Sequence, residues 1–148
     1  MPPLTREVGT AWGVVLVGGI VAVAIAPWDS YFLPNFLWYW LPHMCILFPM
    51  WLLRTRPAAL AGTATVLALY LGAFDLWVLA QGHFEGLAWL GYLFSLPGAM
   101  LGALLATVWL RDRDWTAVWV GLATAGLVLT GLTANQFIVC NTVMSCGL

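Results

Sequence analysis

Residues 54–57 read Arg54-Thr55-Arg56-Pro57, and residues 111–114 read Arg111-Asp112-Arg113-Asp114. With Arg6, these two short stretches hold every basic residue of the 148-residue chain, five in number and all arginine. They fall at every second gap between five apolar runs. Cytoplasmic loops of membrane proteins collect Lys and Arg, so the pattern predicts both a span count and an orientation.

Working outward from the first stretch, an apolar run of about 36–53 precedes it and one of about 58–80 follows it. The second stretch separates runs of about 87–110 and 115–139, and Arg6 precedes a run of about 9–26. Each run is long enough for a hydrocarbon core of ~30 Å. Each must be helical there, because lipid offers no water to satisfy backbone polar groups. The expected fold is therefore all-α: a single domain, 1–148, forming an integral membrane bundle of five transmembrane helices, N-terminus in and C-terminus out. The segment 27–35, with Pro27, Pro34 and Asn35, reads as a loop, and Gln81 to Gly86 reads as a turn.

Composition supports this class. The chain is 63% hydrophobic and 7% charged, against about 25% charged residues in a soluble domain, so it has too little polar surface to face water all round. Seven of its ten tryptophans, Trp28, Trp38, Trp40, Trp77, Trp89, Trp109 and Trp115, fall near span ends, as an aromatic belt requires. The net charge of −1 argues against a nucleic-acid partner. The first run ends in the A-x-A-like Ala24-Ile25-Ala26, but it is longer than a signal-peptide core and Pro27 would follow the cut. A retained helix is expected, in a multi-pass protein of a bacterial-type inner membrane.

Small residues mark where membrane helices approach closely. The fourth run carries two such faces, Gly91-Ser95-Ala99-Ala103 and Gly98-Gly102-Ala106, which predicts a central position for it. The third carries Ala61, Ala64, Ala68 and Gly72, a stripe leading to Asp75. Gly72, Gly98 and Gly102 are the packing positions singled out, with packing inside the chain preferred over assembly between chains.

The polar residues gather on the side opposite the arginines. Asp75 is the sharpest of them, since a carboxylate inside a span is costly and defaults to function. At a rise of 1.5 Å per residue it lies roughly 8 Å from the outer end of its span, with His43 at roughly 10 Å, and Tyr92 and Ser95 at similar depth. A His43–Asp75 pair would relay protons, orient a ligand or bind a cation. The plainer alternative is an interhelical hydrogen bond. His43, within Pro42-His43-Met44-Cys45, and the loop residues Asp29, His83 and Glu85 are the candidate metal ligands, although neighbours on one helix point in different directions. Cys140 and Cys146 would lie outside, where a disulfide persists.

Several classes are excluded by what the chain lacks. Without lysine there is no P-loop and no Schiff base. H-E-x-x-H and G-x-S-x-G are absent, two histidines are too few for a multi-haem cytochrome, and five spans do not divide into inverted repeats. No cofactor is required and no catalytic residue can be nominated, which leans away from an enzyme. The expected function is helix–helix association with the bilayer as solvent, as an accessory subunit of a membrane complex, an immunity-type partner, or a self-associating protein. The alternative is an outer-facing transport or metal-binding protein using the His/Asp site.

Overall fold

The computed structural model describes residues 3–81 and 86–142, with side-chain surroundings for 7–81 and 89–142. It is all-helical: α1 (Pro3–Ile25), α2 (Phe32–Leu52), α3 (Pro57–Ala80), α4 (Gly86–Trp109) and α5 (Ala117–Thr142). Four of them, α1, α3, α4 and α5, are long and apolar enough to cross a membrane. The exception is α2, at 21 residues long enough, but diluted in hydropathy by Asn35, two internal prolines, His43 and a run of Trp and Tyr. Five helices were expected and five are present among the described residues; the fifth membrane crossing is not carried by composition.

The helix ends differ from the sequence expectation where proline was read as a breaker. Pro34 and Asn35 belong to the first turn of α2, not to a loop. The first N–H groups of a helix have no intrahelical partner, so a proline there costs nothing. Pro42, Pro49 and Pro97 lie inside helices that run on through them.

The two arginine stretches come together at one end of the bundle. Arg56 donates to the carbonyl oxygens of Arg113 and Trp115, each at 2.9 Å. This pins the α2–α3 turn to the α4–α5 turn. The Arg113 guanidinium sits 5.6 Å from the centroid of the Trp109 ring, a cation–π arrangement. α2 closes with a Schellman pair, Arg54 N–H to Trp51 O and Thr55 N–H to Met50 O, which puts Arg54 at φ 53°. Glycine is the usual occupant of that left-handed position, and an arginine there costs roughly 1 kcal/mol.

α3 touches all four other helices, with α1 and α5 on its flanks. α4 is the most buried of the four candidate spans, both of its small faces are covered and it touches α2, α3 and α5, with α5 its main partner, as the two small faces of the fourth run predict. The α4–α5 seam brings backbone against backbone. A Cβ on Gly98 would overlap the Gly131 carbonyl oxygen and the Asn135 side chain, and one on Gly102 would overlap Leu127 and Val128 backbone atoms. Gly62 of α3 meets Gly121 of α5 in the same way. Gly72 does not serve as a close-packing position: the nearest atom to its added Cβ is Val21 Cγ1 at 4.0 Å. The buried threonines of the spans are satisfied by their own helices, Thr63 by Ala59 O, Thr107 by Ala103 O and Thr124 by Val120 O. The outer surface is covered by exposed Leu, Val, Ile and Trp, a surface that belongs in lipid.

Candidate functional site

The polar centre of the bundle lies where α2, α3 and α4 meet. On α2, Tyr39, His43, Ile46, Leu47 and Met50 form the buried stripe at helical spacing, which aims the imidazole inward. His43 is 1% exposed and so is Tyr92 on α4. Their side chains meet, His43 Nε2 to Tyr92 Oη, at 2.5 Å. Either the phenol donates to an unprotonated Nε2 or an Nε2–H donates to the phenol, according to tautomer.

Around this bond the aromatic rings close in. Tyr92 stacks on Tyr70 of α3, with centroids 5.1 Å apart and planes 17° from parallel. The Trp40 ring meets His43 edge-on at 5.9 Å, and Phe74 packs on both Trp89 and Tyr92. Ser95 Oγ is hydrogen-bonded to the Tyr92 carbonyl at 2.6 Å and to the Tyr70 hydroxyl at 2.9 Å. Its single proton serves the carbonyl, so the phenol of Tyr70 completes the second bond. The result is a chain of groups, His43 to Tyr92 and Tyr70 to Ser95, tying three helices by side-chain hydrogen bonds in a buried interior.

Three of the four residues expected at a polar site, His43, Tyr92 and Ser95, are thus brought together, and Asp75 is not. Asp75 is half-buried nearer the end of α3, within electrostatic reach of Tyr39, and among the described residues it has no hydrogen-bond partner. Matching depth set the expected His43–Asp75 pair, but depth leaves rotation about the helix axis open, and His43 is turned toward Tyr92. Asp29 is exposed and accepts from the Tyr31 N–H at 2.7 Å, which makes it a turn residue. His83, Glu85 and Cys146 lie outside the described residues. Among the described residues no three His, Cys, Asp or Glu side chains gather in a metal-binding group. In the Pro42-His43-Met44-Cys45 stretch, His43 is buried while Cys45 is exposed and free, so the two face different ways.

One contributor, Tyr70, is not among the residues expected from the sequence, and Asn135, a polar residue expected near the outer end of its run, takes a partner that the sequence does not show. Tyr70 lies in the middle of its span, far from either interfacial belt, and that displacement was its signal. Asn135 donates from α5 to the Phe94 carbonyl at 2.5 Å, beside the break that Pro97 makes in the α4 ladder. Trp89 Nε1 and Gln136 Oε1 are buried and have no hydrogen-bond partner among the described residues. The principal cavities are lined by residues other than His43 and Tyr92.

No known family model, no curated protein and no solved structure matches the chain.

Proposed function

We propose that this protein acts by helix–helix association in a membrane, as an accessory subunit or an immunity-type partner, and that it receives a transmembrane helix of another subunit. The observation that carries this is a groove of about 870 Å³ between α1, α3 and α5 at the arginine end. Ala58, Ala61 and Thr65 of α3 face Ala117, Gly121 and Ala125 of α5 across it. Small side chains on two neighbouring helices let a third backbone approach closely. In lipid, where no hydrophobic force drives association, that close contact supplies the binding energy. Gly98 and Gly102 are used inside the chain, as expected of them, so the groove is the better candidate for association between chains.

A photo-crosslinking residue placed at Ala61 or Leu122, in native membranes, is expected to give one discrete protein adduct. Ala125→Phe, which fills the groove without touching the α4–α5 seam, should remove it. An adduct at twice the chain mass makes a second copy the occupant. Adducts with lipid alone would sink the association reading.

In this reading α2 also crosses the bilayer, the arginine end is cytoplasmic, and the membrane is a bacterial-type inner membrane. The support is the positive-inside rule together with the meeting of Arg56 with Arg113 and Trp115. A reporter fused after Leu148 should work only when it requires export; activity of a reporter confined to the cytoplasm would reverse the orientation. The transport or metal-binding alternative has less support, because His43 is engaged with Tyr92 and Asp75 stands apart from both.

A further inference from the structure

We propose that the arginine end carries a binding site for a phosphate group, the chemistry shared by an anionic lipid headgroup and a free phosphate. A cavity of about 380 Å³ opens there between the end of α2, the start of α3 and the end of α4. Arg54, Arg56 and Arg111 line it together with one carboxylate, Asp112, which leaves an excess of positive charge.

The three guanidiniums are not equivalent. Arg56 is committed to the Arg113 and Trp115 carbonyls and holds the two turns together. The side chains of Arg54 and Arg111 have no partner among the described residues. They stand on opposite turns that the Arg56 bonds hold in register, so their spacing is set before any ligand arrives. Guanidinium forks are the side chains best suited to phosphate oxygens. The Thr55 hydroxyl donates to Thr107 Oγ1 at 3.2 Å, and Thr107 donates to Ala103 O, so the hydroxyls on the cavity wall are satisfied and the arginines are left to make the bonds.

Two further features point the same way. α3 begins at this cavity with no side-chain cap, so the positive end of its dipole adds to the field there. Arg54 occupies a left-handed backbone position, φ 53°, where glycine would be less strained. An arginine there presents a guanidinium to the cavity, where a glycine would present none.

The test uses the full chain in a neutral detergent, with phosphatidylglycerol, phosphatidylcholine and inorganic phosphate as probes. Native mass spectrometry should show phosphatidylglycerol retained about tenfold more tightly than phosphatidylcholine, the value of one charge-assisted hydrogen bond. Arg54→Gly combined with Arg111→Gln should erase that preference, and Asp112→Asn should strengthen it. Arg54→Gly alone should melt no lower than the wild type, which separates lost binding from lost folding. Displacement of phosphatidylglycerol by millimolar inorganic phosphate would identify a free phosphate as the ligand, and failure to displace it would identify the lipid headgroup. Equal retention of both lipids with no stabilisation by inorganic phosphate overturns the proposal, as does a double variant that holds phosphatidylglycerol like the wild type.

Discussion

Gly98→Leu is expected to unfold the α4–α5 half of the bundle. The β-carbon alone would lie inside the van der Waals envelope of the Gly131 carbonyl and of Asn135, and three more carbons follow it. Overpacking against side chains costs about 1–3 kcal/mol, and here the obstacle is backbone that cannot rotate away. The helix must separate, which also breaks the Asn135 bond to Phe94. Leucine is a better helix former than glycine by roughly 1 kcal/mol, but that gain is too small to reverse the sign. Gly72→Ala is the control, since the nearest atom is 4.0 Å from the added carbon, and its effect should stay within about 0.5 kcal/mol. Denaturant titration in mixed micelles, followed by circular dichroism, measures both. A Gly98→Leu protein as stable as the wild type would mean that the seam is not packed as described.

Tyr92→Phe is expected to cost about 1–3 kcal/mol, because it leaves His43 Nε2 buried with no partner. Membrane hydrogen bonds average less than this, near 0.6 kcal/mol, because the separated helices find other partners. The upper part of the range is expected here since both side chains are fully buried and packed among aromatic rings. The double variant His43→Leu with Tyr92→Phe removes both polar groups at once. It should recover much of the loss, giving a coupling of about 1–2 kcal/mol in a double-mutant cycle. The cycle also separates the two functional readings. If the pair is a clamp between α2 and α4, the double variant regains both stability and partner adducts at Ala61. If the pair handles a proton or ligand, the double variant is stable and inactive. Additive single effects would show that the two side chains do not meet.

How much of this was legible depends on what the sequence encodes directly. Helix existence was legible, and so were most ends: the turns at 54–56 and 110–116 fall where the arginines placed them. The start of α2 was misplaced because proline signals a break only where an N–H is needed, and the first turn needs none. The small faces of α4 correctly marked close contact, but they could not name α5 as the partner or Gly131 as the facing residue. Of the expected polar site, His43, Tyr92 and Ser95 come together. The pairing was misread because Asp75 and Tyr92 are both compatible with the depth of His43.

The sequence by itself determined the class of object, the number of helices and the gathering of the basic residues at alternate gaps. Those follow from constraints with no tertiary term: hydrocarbon thickness sets segment length, the absence of water compels helix, and a charge excludes its segment from the core. The tertiary structure alone decided which faces meet. In a water-soluble helix the apolar stripe announces the buried face, but here every face is apolar and the announcement is missing. Contact is then settled by shape, glycine against glycine and phenol against imidazole, and shape appears only when the helices are set side by side. That is why Asp75 lost its expected partner, why the groove beside α3 was invisible along the chain, and why Arg54 and Arg111, 57 positions apart, line one cavity.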